Sequence, residues 1–305
     1  MKILDTQARR LLDRLALMVR PGATSTRQGG HRSPFLASGV EFADHRPYVP
    51  GDDFRRIDWR AFAKSGNLVM RQFEEERDAR IYVLLDLSGS MGRGATNKGD
   101  PTKLDIAKRV AASFAYVGMK QFDRAVVVPF GDGVVGDTRP LRNSADLPEV
   151  DRFLEGCIAG GTTSLPDAVR EMCGRFPKRG LCVVVSDLMT PKGFPEGIRT
   201  LGAFGHELRV VHVHCPEDRT PTFEGELELT DAETGDKVRL RINKKLLEAY
   251  GKEIKKHIDA CRDATRRAGG RFVDVPLDLT FDKLIRRAFA GDEGKSSKMA
   301  GKGAA

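Results

Sequence analysis

From residue 79 onward the chain alternates two kinds of hydrophobic pattern. Continuous apolar runs, rich in valine and isoleucine, occupy 81–85, 125–130, 181–185 and 208–213. Segments with helical spacing of apolar residues occupy 103–120, 146–157, 164–176 and 193–203. Short runs of this kind fit strands buried on both faces. Their alternation with helices predicts an α/β, Rossmann-like domain, a mostly parallel sheet with helices on both faces. In the first helix Ile106, Val110, Phe114 and Val117 form one stripe that can lie on the sheet. Between 222 and 242 the period drops to two. Leu227-Glu228-Leu229 and Val238-Arg239-Leu240-Arg241-Ile242 flank a polar turn at 231–236, which predicts a β-hairpin inserted into the α/β unit. A helix over 243–268, stopped by Gly269-Gly270, and a strand over 271–275 complete the domain.

Ahead of residue 79 the pattern is less regular. Residues 5–19 predict an amphipathic helix with Leu11, Leu12, Leu15, Leu17 and Met18 toward one side, ended by Pro21-Gly22. A Gly/Ser/Arg-rich stretch at 23–33 reads as an exposed loop, and 39–76 is dense in arginine, aspartate and aromatic residues. The expected organisation is an N-terminal helical and irregular extension over 1–78, the α/β domain over 79–290, and a disordered Gly/Lys/Ser tail over 291–305.

Composition narrows the class. At 305 residues and 40% hydrophobic, the chain can bury an ordinary core. No apolar run reaches about 18 residues, and Met1-Lys2-Ile3-Leu4-Asp5 does not open a secretory signal, so the expectation is a cytoplasmic protein without a membrane span. Five scattered cysteines without a C-x-x-C pair fit reduced buried thiols better than disulfides or zinc. The net charge is +8, and residues 241–305 alone hold 16 Lys and Arg against 9 Asp and Glu. That stretch lacks interleaved aromatics and zinc-finger spacing. It reads as a solvated helix face plus a basic tail, with nucleic-acid binding as the alternative.

The candidate chemistry lies where the apolar runs stop. Asp86-Leu87-Ser88-Gly89-Ser90 puts a carboxylate and two hydroxyls on one tight loop after the run 81–85. Such a loop is either a capped turn or an oxygen-only site for a hard divalent cation, which takes about six oxygens. Two further loops favour the cation. Asp187 follows the run 181–185 and Ser186, and Gly160-Gly161-Thr162-Thr163-Ser164 offers Thr162, or in second place Thr163, just before a helix. In an open α/β sheet such loops meet outside the carboxyl ends of the strands.

Together these loops resemble the metal-ion-dependent adhesion site of von Willebrand factor type A (vWA) domains: D-x-S-x-S, a Thr after a Gly-rich turn, and an Asp at a later strand end. The resemblance covers residues 80 to about 215, and extends toward 290 with the hairpin as an insertion. It implies that Ser88 and Ser90 bind Mg²⁺ or Mn²⁺ directly, Thr162 directly or through water, and that Asp86 and Asp187 act mainly through water and their charge. It also implies one open coordination position, filled by an acidic side chain of a protein partner. A second resemblance lies upstream. Gly39-Val40-Glu41-Phe42, Arg46-Pro47-Tyr48, Pro50-Gly51-Asp52-Asp53 and Arg55-Arg56-Ile57-Asp58-Trp59-Arg60-Ala61 look like the signature of the bacterial domain of unknown function 58 (DUF58) family. Locally, Pro50-Gly51 can turn, Asp52 or Asp53 can cap a short helix, and the arginines can pair with the acids, as a structural clamp or a docking surface. The family resemblance implies an adaptor or co-chaperone whose partner is a MoxR-type AAA+ ATPase. Many members of that family carry N-terminal transmembrane helices; with no apolar run of that length in this sequence, the resemblance carries no expectation of a membrane location.

Other patterns are weaker. Gly131-Asp132-Gly133-Val134-Val135-Gly136 fits G-x-G-x-x-G, but no helix follows to bind a phosphate. His212 and His214 share a strand face and read as a half-buried strand end. A metal-dependent phosphoesterase-like enzyme would need a general base; Asp86, Asp187 and Asp132 are the carboxylates at hand, and the first two belong to the ion. With no G-x-S-x-G, H-E-x-x-H or P-loop, the expectation is a binding module without catalytic residues.

Overall fold

The computed structural model describes residues 3–18, 40–49, 57–75, 79–94, 100–122, 124–190, 193–221, 223 and 225–290. Along the chain come α1 (Thr6–Met18), β1 (Val40–Pro47), α2 (Trp59–Ser65), β2 (Val69–Glu75), β3 (Arg80–Asp86), α3 (Lys103–Gln121) and β4 (Arg124–Phe130). Then follow α4 (Leu147–Glu155), α5 (Leu165–Arg175), β5 (Leu181–Ser186), α6 (Phe194–Ala203), β6 (Glu207–His214) and α7 (Pro216–Arg219). The chain closes with β7 (Gly225–Thr230), β8 (Lys237–Ile242), α8 (Lys244–Arg267), β9 (Arg271–Pro276) and α9 (Phe281–Ala290). Two compact units result, Met1–Thr24 with Arg80–Ala305, and Ser25–Ala79.

In the larger unit the strands lie in the order β4-β3-β5-β6-β9, and every pairing is parallel. A parallel strand covered on both faces needs apolar residues at every position, and all five residues from Ile81 to Leu85 are buried. Alternate residues serve opposite faces. Tyr82, Leu84, Val126, Val128, Cys182 and Val184 pack with Val169 and Met172 of α5, Ile198 and Leu201 of α6, and Ile258 and Cys261 of α8. On the other face α3 lies so close that a Cβ on its Gly118 would meet Ile81 and Ala125. The buried stripe Val110, Phe114 and Val117 runs along this helix, and each such side chain contributes roughly 1.5–3 kcal/mol by leaving water. Phe114 stacks on Phe289 of α9 at 4.2 Å between ring centroids. The fold is therefore α/β, with helices on both faces. All five cysteines are free and buried.

The first helix departs from the expected grouping. Rather than belonging with the rest of 1–78, α1 lies in the larger unit: Tyr116 Oη donates to Asp13 Oδ1 at 2.8 Å, and the Gln121 side chain donates to the Ala16 carbonyl. Its buried positions are Ala8, Leu12 and Ala16, with Leu4 just ahead of the helix, while Leu11 and Leu15 are half-buried; the side chains of Leu17 and Met18 lie outside the described residues. The predicted hairpin forms, with β7 and β8 antiparallel and Leu227 opposite Leu240.

The smaller unit was expected to be irregular and instead holds a two-stranded antiparallel sheet, β1 with β2, with a register shift between Phe42 and Asp44. Its short helix α2 is capped by Asp58, whose Oδ1 accepts from the backbone N–H of Arg60 at 3.0 Å and of Ala61 at 3.1 Å. Such a cap contributes about 1 kcal/mol. The expected caps Asp52 and Asp53, with Pro50-Gly51, Arg55 and Arg56, lie outside the described residues, as do the loop at 23–33, the stop at Pro21-Gly22 and the tail at 291–305.

Candidate functional site

Parallel register sets the site. Leu85 pairs with Val185 and Asp86 with Phe130, so β3, β4 and β5 end level with one another. The chain leaves β3 into the Asp86 loop, whose Leu87 N–H donates to the Phe130 carbonyl at 2.9 Å. Asp86 is fully buried. Its Oδ1 accepts from the Ser88 N–H at 2.9 Å and its Oδ2 from the Ser186 hydroxyl at 2.6 Å. These bonds turn the backbone so that the Ser88 and Ser90 hydroxyls come together, 3.1 Å apart.

The glycine-rich loop is stitched to the first by two backbone bonds, Gly89 N–H to the Gly161 carbonyl at 2.9 Å and Gly160 N–H to the Leu87 carbonyl at 2.8 Å. Gly161 has φ of +73°, a left-handed conformation that glycine adopts without steric cost. The next residue, Thr162, donates its hydroxyl to Asp132 at 2.6 Å, which leaves its lone pairs free to accept or to bind a cation. Thr163 instead turns inward, its hydroxyl on the Gly131 carbonyl at 3.3 Å.

Asp187 follows Ser186. The backbone then passes through Leu188, a buried residue with φ of +57°, the one described non-glycine with positive φ. This conformation costs about 1–2 kcal/mol and persists where surrounding bonds enforce it. Here Leu188 N–H donates to Ser186 Oγ at 2.9 Å, its carbonyl meets His257 Nε2 at 2.8 Å, and Met189 N–H reaches Asp187 Oδ1 at 3.2 Å.

The other Asp187 oxygen accepts at 2.6 Å from Lys103 Nζ, a buried ammonium that also lies 3.3 Å from Asp218. Lys103 is the first residue of α3, where a cation runs against the helix dipole. A reciprocal cap pins the helix start: Asp105 N–H donates to Thr102 Oγ1 at 3.1 Å and Thr102 N–H to Asp105 Oδ2 at 2.9 Å. Burial opposes the Lys103 charge, but Asp187 and Asp218 outweigh it and hold the pKa above the ordinary lysine value. Burial likewise pushes Asp218 up, and Lys103 with the Cys215 N–H brings it below the ordinary carboxylate range. Asp86 has no such cation. Burial, then the charge of Asp187, push its carboxyl up to about 7, against the opposing hydrogen bonds from Ser186 and Ser88.

The donor set suits a hard divalent ion. Two adjacent ligands of an octahedral ion with bonds of about 2.1 Å stand about 3 Å apart, which is the Ser88–Ser90 separation. Both carboxylates already use their oxygens on protein donors, so they would act on such an ion by charge and through water. Asp132, Lys103 and Ser186 also belong to this site. Asp132 was visible in the sequence only as a further strand-end acid; Lys103 carries no signal, since a lysine opening a helix reads as solvated.

The second cluster, His212, His214 and Asp274, is buried rather than half-buried. The histidine rings stack at 4.9 Å, and Asp274 accepts from Arg219 at 2.6 Å and Arg262 at 2.8 Å besides contacting His212 Nδ1 at 2.8 Å. Two guanidinium groups on the one carboxylate make this an ion-paired core and oppose a further cation.

A parallel α/β domain with hydroxyl and carboxylate loops gathered at its strand ends is the class defined by this geometry. The chain belongs to the family described as protein of unknown function DUF58, whose model matches residues 44–260. It is similar to the uncharacterized protein Rv1480 of Mycobacterium tuberculosis (strain ATCC 25618 / H37Rv), 26% identical over 284 residues, 90% of this chain and 86% of that one. Among solved structures it is similar to the conserved hypothetical protein BatB from Bacteroides thetaiotaomicron, at 19% identity and TM-score 0.41 over 70% of this chain and 97% of that chain. It is also similar to a von Willebrand factor type A protein from Catenulispora acidiphila, at 16% identity and TM-score 0.41 over 84% and 46% of the two chains. Among the described residues no helix is long and apolar enough to cross a membrane.

Proposed function

We propose that this chain is a non-enzymatic protein-interaction module that grips an acidic side chain of its partner through Mg²⁺ or Mn²⁺. Ser88 and Ser90 hold the ion directly and Thr162 directly or through water, while Asp86 and Asp187 supply charge through water. The ion provides a Lewis-acidic position for the partner's carboxylate. One observation carries the reading: two hydroxyls 3.1 Å apart stand beside a buried carboxyl whose pKa is pushed up to about 7, a site short of positive charge. Asp86 and Asp187 are at most 1% exposed and fully hydrogen-bonded, and Asp132, the exposed carboxylate, already accepts the Thr162 hydroxyl at 2.6 and 2.7 Å on its two oxygens, which favours binding over phosphoester cleavage.

Membership of the DUF58 family and the vWA resemblance support a MoxR-type AAA+ ATPase as the partner, with this chain a cytoplasmic adaptor or co-chaperone. Calorimetric titration with Mg²⁺ and Mn²⁺, beside Asp86→Ala, tests the site: heat of binding from the intact chain and none from the variant is expected, and equal heats refute it. Capture of the ATPase that is lost in EDTA and in Asp86→Ala tests the partner. Capture unaffected by EDTA would place that interaction elsewhere on the chain.

A further inference from the structure

The inserted hairpin does more than decorate the domain. Its turn is held by the Asp231 N–H to Asp236 carbonyl bond at 2.8 Å, while Asp231 Oδ1 accepts from the N–H groups of Glu233 at 2.7 Å and Thr234 at 3.0 Å. This turn is seated on the Asp86 loop. A Cβ at Gly89, between the two site serines, would come within 2.0 Å of the Ala232 carbonyl oxygen and 3.3 Å of the Glu233 Cα. Arg93, three residues beyond Ser90, donates to the Thr230 carbonyl at 3.1 Å. On the other side Thr190, three residues beyond Asp187, donates to Glu233 Oε1 at 3.1 Å. Burial raises the Glu233 carboxyl against the hydrogen bond from Thr190, and the charges of Asp231, Asp187 and Asp132 add to the rise.

Seating is polar rather than apolar. Leu229, Val238 and Leu240 on the hairpin strands stay exposed; Ile242 at the base of β8 is buried, and the tip meets the domain through Arg93, Gly89 and Thr190. We propose that Glu233 is the site's own acidic ligand: the hairpin presents in cis the carboxylate that closes the open metal position, and a partner's acidic side chain must displace it. This rests on the metal reading above. It adds a regulatory element, since the partner would compete with a tethered carboxylate and not with water alone. Three acids facing a site already short of positive charge are also more readily held together by a divalent ion than without one.

The test uses Mn²⁺ as probe, with water-proton relaxation reporting inner-sphere waters and titration reporting affinity, on the intact chain, Asp86→Ala, Glu233→Gln and Glu233→Ala. The expected result is that both Glu233 variants bind Mn²⁺ about tenfold more weakly and show one more exchangeable water on the ion. Acetate should then displace that water in Glu233→Ala but not in the intact chain. Glu233→Gln keeps the hydrogen bond to Thr190 and loses the charge, which separates ligation from folding. If the intact chain binds Mn²⁺, Asp86→Ala does not, and both Glu233 variants match the intact chain in affinity and relaxation, the hairpin proposal is overturned and the metal site stands. If the intact chain binds no Mn²⁺, both fall.

Discussion

Lys103→Met isolates the electrostatics of the strand ends without touching a proposed metal ligand. Methionine keeps the length of the buried stem and removes the ammonium, so Asp187, 1% exposed, and Asp218, 17% exposed, lose the cation at 2.6 and 3.3 Å. Removing one partner of a buried pair costs about 3–5 kcal/mol. The lower end applies, because Asp187 keeps the Met189 N–H and Asp218 the Cys215 N–H at 3.0 Å, and no cavity opens. About 3 kcal/mol corresponds to a fall in Tm of roughly 6–12 °C for a domain of this size. Denaturant unfolding in EDTA, followed by far-ultraviolet circular dichroism, measures it. Adding Asp187→Asn to Lys103→Met should recover part of the loss, giving a coupling energy above about 1.5 kcal/mol in the double-mutant cycle. Mg²⁺ should stabilise Lys103→Met more than the intact chain, since the ion becomes the main countercharge for Asp187. A loss below about 1 kcal/mol, or a coupling near zero, would show that the ammonium is screened by water and that the buried-pair argument is wrong.

Two titrating groups give opposite pH dependences. Asp86, with its pKa raised to about 7, keeps a proton in the folded chain that the unfolded chain releases above the ordinary 3.8, so its contribution to stability falls as pH rises from about 4 to 7. Asp86→Asn should therefore gain stability relative to the intact chain at pH 8 in EDTA and lose that advantage at pH 4; an advantage independent of pH refutes the raised Asp86 pKa. His214 is lowered to about 4 by burial first and then by the charges of His212 and Arg219, so it stays neutral in the fold while the unfolded chain protonates below the ordinary 6.5. Stability is lost as pH falls through that window, by about 3 kcal/mol at most. His214→Gln should flatten this part of the profile in pH-dependent denaturation, and an unchanged slope between pH 6.5 and 4 would discount His214.

The strands of the larger unit were legible because a parallel strand covered on both faces writes itself as an unbroken apolar run, as in Ile81-Tyr82-Val83-Leu84-Leu85. The two-stranded sheet of the smaller unit was not legible, since Val40-Glu41-Phe42-Ala43-Asp44-His45-Arg46-Pro47 carries charges along its length and resembles a polar connector. At the strand ends, the loops of Asp86, Ser88, Ser90, Thr162 and Asp187 could be grouped in advance because loops at the carboxyl ends of parallel strands converge and because their pattern resembles the vWA adhesion site. Their neighbours could not. Lys103 looks solvated until Asp187 is placed opposite it, and Glu233 sits in a turn whose polar residues give no hint of facing another loop. In both cases the missing information is a contact between distant segments.

That distance also sets when the site can exist. Ser186 meets Asp86 across 100 residues of chain, Lys103 meets Asp187 across 84, and Tyr82 of β3 pairs with Cys182 of β5 only after two intervening crossovers are complete. Contacts so far apart in sequence form late and slowly, because the loop-closure entropy must be met before they contribute. A chain emerging from the ribosome, or one truncated before residue 181, holds the whole Asp86 loop and Lys103 but neither Ser186 nor Asp187, which bond to them. The complete loop cluster is thus a marker of finished folding: on the proposed reading of the site, half-made copies would present an incomplete surface to a partner.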